Sequence, residues 1–358
     1  MESNIWFSGA IILVSYYFLV SSEAKVRDRR IVPAVLVFGD SIFDPGNNNN
    51  MNTTAKSNFP PYGIDFPNHK STGRFSNGKI PGDLMASKLG VKDYLPAYLN
   101  SDLEPEQLLT GVSFASGGTG YDPITSALVS VLSMDDQIDL FKDYVTKLYS
   151  IANEDRVDDI ISTSLFIACA GNDDISNTYY TTPIRILQYD IPQYVDFMIT
   201  NAAEFIEKLL VLGAKKIGFI GLPPMGCLPW ARTLAGGLSR NCDQNRNNAA
   251  KLYNSKMPGV LRNIQKKYQG SNIIFLQIYD IMINMIQNPT NYGFEETRRG
   301  CCGTGMFEVT GFCNNQTEFI CEDTTKFMFW DSYHPTERGY QIIMDDIFNT
   351  YFQDLFNN

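Results

Sequence analysis

The sequence is poor in the side chains and motifs that several common functions require. Only two of its 358 residues are histidines, and its 29 basic against 39 acidic side chains give a formal net charge of −10. This acidic balance argues against nucleic acid and anionic membrane surfaces as partners. The sequence contains no P-loop and no HExxH pair, and its GTG segments at 118–120 and 303–305 lack the last glycine of a dinucleotide-binding loop. We therefore expect neither a metal ion nor an organic cofactor.

Long apolar runs are also scarce, and the one candidate for an export or membrane segment stands at the amino terminus. Residues 5–20 are mainly apolar and are followed by Ser22-Glu23-Ala24, which fits the small-x-small pattern of a signal-peptidase site. The run is shorter than the roughly 20 residues that a membrane span needs. We predict that residues 1–24 are a signal peptide and that 25–358 form a single secreted, extracellular domain without stable membrane insertion. An uncleaved anchor is the alternative, since no Lys or Arg precedes the run.

The seven cysteines divide into one isolated residue and six that lie in turn-rich sequence. Cys169 lies inside the apolar run SLFIACAG, where a lone thiol behaves as a small buried hydrophobe. The other six predict three disulfides in an exported chain, with the pairing left open. A zinc site is the less favoured alternative, because no CxxC pair is present. The six are Cys227, Cys242, Cys301, Cys302, Cys313 and Cys321.

Two Asn-x-Thr sequons begin at Asn52 and Asn315. Such sequons accept N-linked glycans only in exported proteins. They agree with the predicted signal peptide, and we predict glycosylation at both asparagines.

Five short runs rich in apolar and β-branched residues alternate with longer segments of helical spacing. Each run is bounded by Gly, Pro, Asn or Asp, as buried strands are. Strands that alternate with helices predict an α/β protein with a parallel sheet covered on both faces. The predicted strands are 33–38, 111–115, 164–170, 216–221 and 272–279, and the predicted helices are 79–89, 135–152, 191–212, 245–268 and 336–356. The Gly- and Cys-rich segment 292–321 is predicted to be a stapled loop before the last helix.

Ligands of such sheets bind beyond the carboxyl ends of the strands, and the polar motifs of this sequence fall there. Ser41 follows the first predicted strand, the glycine-rich stretch 116–120 follows the second, and Asn172 follows the third. We therefore expect the three motifs to converge at one edge of the sheet.

A serine hydroxyl becomes a nucleophile when a base accepts its proton, and a histidine oriented by a carboxylate is the usual base. His69 lies in a polar, turn-like stretch and is predicted to be an exposed loop residue. His334 lies three residues after Asp331 and directly before Pro335. In such a bend the carboxylate can reach one ring nitrogen and leave the other for Ser41. Asp-x-x-His alone is a weak signal, and a structural cap is the alternative for this pair.

Attack on an ester also needs hydrogen-bond donors for the oxyanion that forms. Gly118 can offer a backbone N–H from a glycine-rich turn, and Asn172 can offer a side-chain amide. A tight turn for Gly118 and an Asx cap for Asn172 are the structural alternatives. Their coincidence at successive strand ends favours the oxyanion role.

No Gly-x-Ser-x-Gly elbow occurs, so the sequence does not predict an α/β-hydrolase of that type. It resembles instead the GDSL lipases and esterases of the SGNH hydrolase superfamily, in particular the secreted plant type. The resemblance covers essentially the whole predicted mature chain. It is carried by six ordered blocks, FGDSIFDPGNNN (38–49), GVSFASGGTGYD (111–122), AGNDD (170–174), GLPPMGCLP (221–229), NPTNYGFEETRRGCCGTG (288–305) and FWDSYHPTE (329–337).

This resemblance implies a flavodoxin-like three-layer α/β/α sandwich with a central, mainly parallel five-stranded sheet. Ile42 replaces the usual leucine of the GDSL motif, which is a conservative apolar change. The site residues that the resemblance implies are Ser41 as nucleophile, His334 as base, Asp331 as its partner, and Gly118 and Asn172 as oxyanion donors together with the backbone N–H of Ser41.

The implied function is a secreted serine esterase or lipase that hydrolyses carboxylic ester bonds of lipids or other small-molecule acyl esters. Three alternatives stay open: a polysaccharide O-acetyl esterase, an acyltransferase of the same fold, and a non-catalytic extracellular binding protein. Long acyl chains need a wide apolar cleft, whereas acetyl groups suit a shallow polar one. The sequence does not choose between these substrates, and it does not fix the oligomeric state.

Overall fold

The computed structural model describes residues 30–356, so the predicted signal peptide, residues 1–24, lies outside the described part. From Ile31 onward the chain forms one compact unit. Its centre is a parallel sheet in which the strands lie side by side in chain order. These strands are β1 (Val35–Gly39), β2 (Leu165–Cys169), β3 (Lys216–Ile220) and β4 (Asn272–Leu276).

The strands form where the sequence concentrates apolar residues. Every residue of β1 and of β2 is buried. A parallel sheet covered on both faces keeps its central strands from water, which requires apolar runs without alternation. The register is continuous, since Val35 pairs with Leu165 and Leu165 pairs with Lys216. The segments after Gly39 and Cys169 therefore leave the sheet at the same edge.

Among residues 30–356 the central sheet has four regular strands, whereas five were predicted. The predicted strand 111–115 runs along the outer side of β1 and joins it through a parallel bridge at Ser113. A further bridge would need the N–H of Gly39 to donate to the carbonyl of Phe114, but this N–H donates to Oε1 of Gln137 at 2.8 Å. With this segment beside β1 the chain order across the sheet is 2-1-3-4-5, so the predicted flavodoxin-like arrangement is confirmed.

Helices cover both faces of the sheet. They are α1 (Pro81–Lys88), α2 (Pro105–Leu109), α3 (Pro123–Val129), α4 (Met134–Ile151), α5 (Glu154–Thr163), α6 (Pro183–Ile186), α7 (Ile191–Val211), α8 (Pro229–Ala235), α9 (Gln244–Lys267), α10 (Tyr279–Gln287) and α11 (Glu337–Phe356). In one layer α7 contacts both α4 and α9, and in the other α11 contacts α1 and α10. The five predicted helices are α1, α4, α7, α9 and α11, and their ends differ from the prediction by no more than two residues. The unpredicted ones are short, and short helices show little periodicity.

The Gly- and Cys-rich segment 292–321 is more regular than the predicted loop. It contains β5 (Glu296–Gly300), which pairs in parallel with β6 (Phe327–Phe329) to form a second, small sheet. Cys169 is a buried free thiol, as predicted. The three predicted disulfides are present and join Cys227 to Cys242, Cys301 to Cys321, and Cys302 to Cys313.

Candidate active site

The turn that follows β1 presents Ser41 at the carboxyl edge of the sheet. Gly39 has a φ of 138°, and a Cβ at this position would lie 1.8 Å from the carbonyl oxygen of Cys169. Only glycine therefore lets the ends of β1 and β2 approach so closely. Asp40 then folds the chain back, because its Oδ1 accepts the N–H of Ile42 at 3.0 Å. Ser41 lies in this tight turn with a half-buried side chain.

The loop before α11 is folded around the carboxylate of Asp331. Oδ1 of Asp331 accepts the backbone N–H groups of Tyr333 at 2.8 Å and of His334 at 2.7 Å. The N–H of Trp330 donates to the carbonyl of His334 at 2.7 Å and closes the loop. This local folding holds the imidazole of His334 against the carboxylate three residues before it.

Ser41, His334 and Asp331 form one continuous chain of hydrogen bonds. Nδ1 of His334 lies 2.9 Å from Oδ1 and 2.8 Å from Oδ2 of Asp331, and Nε2 lies 2.7 Å from Oγ of Ser41. Asp331 is fully buried and His334 is 4% exposed. A carboxylate beside Nδ1 favours the tautomer with the proton on that nitrogen, which leaves Nε2 able to accept the serine proton. The pair therefore does more than cap its loop, because it also contacts Ser41.

Asn172, which follows β2, reaches the same edge of the sheet and is tied to Asp40. Its Nδ2 donates to Oδ2 of Asp40 at 2.7 Å, and the amide nitrogen carries a second hydrogen that this bond does not use. Oδ1 of Asn172 is buried without a hydrogen-bond partner among the described residues. Burial raises the pKa of Asp40 to about 6, although the N–H of Ile42 and the amide of Asn172 oppose the rise. Asp40 thus connects the turn of Ser41 to the side chain of Asn172.

A small cavity lies beneath Ser41, on the side of the sheet covered by α10 and α11. Its volume is about 50 Å³, and Ser41, Asn172, Asp173 and His334 are among the polar residues that line it. A cavity that holds one water molecule has a volume of about 10–15 Å³, so this cavity has room for a group the size of a few water molecules. The apolar wall includes Ile220, Met282, Ile343 and Met344.

The glycine-rich turn after segment 111–115 lies outside the cavity wall. The N–H of Gly117 donates to Oδ2 of Asp44 at 2.9 Å and is therefore used within the fold. Gly118 has a φ of 93°, and within residues 30–356 its N–H has no acceptor, as is also true of the N–H of Ser41. Gly118 is not among the residues that line the cavity. His69, the other histidine, is exposed and its Nδ1 contacts a backbone carbonyl of its own loop.

Two contacts of the site escaped the sequence predictions. Asp40 was not singled out, although a carboxylate directly after a fully apolar strand is itself a signal of a buried polar contact. Tyr62 donates its hydroxyl hydrogen to Oδ2 of Asp331 at 2.8 Å. These two residues stand 269 positions apart, and no pattern in the sequence relates them.

Buried carboxylates near the site predict how stability depends on pH. Burial raises the pKa of Asp40 to about 6 and that of Asp174 to about 7. The pKa of an aspartate in an unfolded chain is about 3.9. Between these values the native state binds more protons than the unfolded state, so the free energy of unfolding decreases as pH rises. We expect this free energy, measured by urea unfolding with the disulfides intact, to be greater near pH 5 than near pH 8 by roughly 3–5 kcal/mol.

Asp174→Asn is the matched variant for this pH prediction. The N–H groups of Tyr121 and Asp122 donate to the two different carboxylate oxygens of Asp174, and asparagine keeps one of these acceptors but does not titrate. The stability of the variant should change less between the two pH values than that of the wild type. A wild-type protein that becomes more stable from pH 5 to pH 8 would contradict the prediction.

Comparison with known proteins shows a clear family relationship. The family model described as GDSL-like Lipase/Acylhydrolase matches residues 35–347. The chain is 47% identical to GDSL esterase/lipase EXL3 of Arabidopsis thaliana, over 97% of this chain and 95% of that protein. It is 49% identical to GDSL esterase/lipase At1g20120 of the same plant, over 87% of this chain and 77% of that protein.

A solved structure, the lipase Lip_vut3 from a goat rumen metagenome, aligns with 88% of this chain and 95% of its own at 11% identity and a TM-score of 0.33. This likeness is too weak to carry an argument, so the assignment depends on the sequence matches. Together with the α/β fold, those matches define a carboxylic ester hydrolase of the serine type, as the sequence predicted. The chain belongs to the GDSL esterase/lipase family, and the two relatives named above are plant proteins.

Proposed function

We propose that this esterase hydrolyses short-chain acyl esters with Ser41 as nucleophile, His334 as general base and Asp331 as the partner of the imidazole. The observation that carries the proposal is the unbroken chain of hydrogen bonds from Oγ of Ser41 through both ring nitrogens of His334 to the Asp331 carboxylate. A buried carboxylate and a nearly buried imidazole at these distances are the arrangement that activates a serine hydroxyl.

In the first half of the reaction Oγ of Ser41 attacks the ester carbonyl carbon while its proton passes to Nε2 of His334. Asp331 stabilises the imidazolium that forms. The tetrahedral intermediate then expels the alcohol, which takes the proton from Nε2. In the second half a water molecule gives its proton to Nε2 and attacks the acyl-enzyme, and release of the acid returns the proton to Ser41.

Three donors are proposed for the oxyanion, namely the N–H groups of Ser41 and Gly118 and the amide of Asn172. The first two have no acceptor among residues 30–356, and Nδ2 of Asn172 retains a hydrogen beyond its bond to Asp40. Donors already fixed by the fold stabilise developing charge without further reorganisation. Asp40 supports this arrangement, since it holds both the Ser41 turn and Asn172.

The size of the cavity supports a short acyl group, such as acetyl, over a long chain. About 50 Å³ of space is bounded by Met282, Ile343, Met344 and other apolar side chains, and a long chain could lie inside this cavity only by displacing them. This favours acetyl esters, including O-acetyl groups of polysaccharides, over long-chain lipids as substrates.

The acyl preference is tested with p-nitrophenyl esters from acetyl to palmitoyl. We expect kcat/KM for acetate and butyrate to exceed that for palmitate by at least ~10-fold, because one misplaced methylene already costs about 1–3 kcal/mol. Met344→Ala should move the preference toward longer chains by enlarging the cavity. Met257→Ala is the matched control, since it truncates a buried methionine that does not line the cavity. A preference for palmitate in the wild type would contradict the proposal.

We also propose that the protein is secreted after removal of residues 1–24. Its three disulfides support an oxidising destination. Asn52 and Asn315 are both exposed, which is compatible with the proposed glycans. Among residues 30–356 no helix has the length and apolarity that crossing a membrane requires.

A further inference from the structure

Tyr62 stands between the proposed catalytic aspartate and a loop closed by a disulfide. Its hydroxyl donates to Oδ2 of Asp331 at 2.8 Å and accepts the backbone N–H of Thr310 at 2.8 Å. Thr310 lies between Cys302 and Cys313, which are joined to each other. A single buried hydroxyl therefore connects the loop to the carboxylate.

The ring of Tyr62 has one well-defined position. It is 1% exposed and belongs to a small core formed with Trp330 and the cysteines of two disulfides. Its centroid lies 6.1 Å from that of Trp330 and 6.3 Å from that of Phe75. Phe75 in turn packs at 5.1 Å against the ring of His334. Packing and hydrogen bonds together therefore fix the direction of the Tyr62 hydroxyl.

The disulfide loop 302–313 is also fastened to the segment that carries Asp331. The N–H of Cys302 donates to the carbonyl of Trp330 at 2.8 Å, and the N–H of Ser332 donates to the carbonyl of Glu308 at 2.9 Å. The Glu308 carboxylate accepts the N–H of Thr304 at 2.9 Å within the same loop. The loop is therefore ordered and lies directly against both neighbours of Asp331.

We propose that Tyr62 is a positioning residue for the Asp331 carboxylate, and that loop 302–313 acts on the active site through the Tyr62 hydroxyl. This inference rests on the proposed function, because it concerns the aspartate of that mechanism. Burial and the nearby Asp331 hold the pKa of Tyr62 well above its usual range, so the phenol stays protonated and remains a donor. The Tyr62 hydroxyl keeps the carboxylate oriented. Its hydrogen bond also reduces the negative charge that Asp331 presents to His334, which sets how strongly Asp331 stabilises the imidazolium.

Tyr62→Phe removes this donor and keeps the aromatic ring. We expect kcat to fall by about 10-fold to 100-fold with little change in KM, because the carboxylate loses a hydrogen bond that orients it toward His334. Asp331 would then concentrate more negative charge beside His334, so the acid limb of the kcat/KM profile should move to higher pH by roughly 0.5–1 unit. A merely structural role would lower the amount of active enzyme and leave the limb in place.

Tyr144→Phe is the matched control. Tyr144 is also fully buried, and its hydroxyl donates to the carbonyl of Leu108 at 2.6 Å, away from the residues of the site. Its loss should leave kcat and the pH profile unchanged. Melting temperature and near-UV circular dichroism, recorded for every variant, give the folded fraction used to normalise kcat.

A second variant opens the loop and keeps the Tyr62 hydroxyl. Cys302→Ser combined with Cys313→Ser should move the acid limb in the same direction as Tyr62→Phe, whereas Cys227→Ser with Cys242→Ser, which removes another disulfide, should not move it. Combining the loop variant with Tyr62→Phe should give a kcat loss smaller than the product of the separate losses, because both act through one hydroxyl. If Tyr62→Phe does not fold, the two disulfide variants carry the test by themselves.

The outcomes separate this inference from the proposed function. If turnover by the wild type does not depend on Ser41, the proposed function fails and the role of Tyr62 fails with it. If turnover depends on Ser41 but neither Tyr62→Phe nor the opened loop moves the acid limb, the role of Tyr62 alone is overturned.

Discussion

Replacement of Ser41 by alanine is expected to lower the turnover of p-nitrophenyl acetate by at least ~10³-fold, with the fold retained. The hydroxyl of Ser41 contacts Nε2 of His334 and lines the small cavity, so its loss removes the proposed nucleophile at little cost in packing. Donors for the oxyanion would remain, which is why residual catalysis above the rate in water is expected. The measurement is kcat/KM for the wild type and the variant, produced and assayed in parallel.

Ser164→Ala is a suitable control for the serine prediction. Ser164 is fully buried directly before β2, and its hydroxyl has no hydrogen-bond partner among the described residues. Its loss should leave turnover unchanged. If Ser41→Ala keeps activity within about tenfold of the wild type, the serine mechanism is wrong, since loss of the nucleophile removes covalent catalysis altogether.

The second large effect is expected from Asp331→Asn, which should reduce kcat by about 10⁴-fold. Asparagine keeps an oxygen for the N–H groups of Tyr333 and His334, so the loop can stay folded. Its amide hydrogens, however, favour the histidine tautomer that accepts at Nδ1 and carries its proton on Nε2. That tautomer cannot take the proton of Ser41.

Asp174→Asn separates this effect from the general loss of a buried carboxylate. Asp174 is fully buried but does not line the cavity. It is also not part of the chain of hydrogen bonds that joins Ser41, His334 and Asp331. We expect it to retain most of the wild-type activity. An Asp331→Asn enzyme with nearly normal kcat would show that the carboxylate does not govern the tautomer of His334.

Local relations explain why much of the site could be predicted from the sequence. Asp331 and His334 lie three residues apart in one bend, and the carboxylate reaches both the backbone and the ring within that bend. Ser41 and Asn172 follow strands whose parallel register brings their carboxyl ends together. Each relation needs only a strand, a turn or a short loop, which are the features that sequence patterns report best.

Contacts between distant parts of the chain could not be predicted. The bond from Tyr62 to Asp331 and the bond from Gly39 to Gln137 join residues 269 and 98 positions apart. The second of these takes the N–H of Gly39 away from segment 111–115. The apolar pattern of that segment therefore predicted a regular strand that the structure does not contain. Side-chain partners of this kind depend on the completed packing and leave no periodic signal.

The glycine-rich turn shows a further limit of sequence patterns. Gly117 and Gly118 are chemically identical, and a pattern of glycines cannot say which N–H is used within the fold. In the structure the N–H of Gly117 donates to Asp44, while that of Gly118 finds no acceptor among residues 30–356. The direction of each N–H follows from the backbone dihedrals of the turn, which only the folded chain defines.

The most direct test of the serine mechanism is covalent labelling by a fluorophosphonate, followed by peptide mapping in a mass spectrometer. The expected result is one adduct per molecule, on the hydroxyl of Ser41, with little labelling of His334→Ala because the base that activates the serine is missing. An adduct on another residue, or no adduct on a folded protein that still hydrolyses esters, would contradict the central claim that Ser41 is the nucleophile.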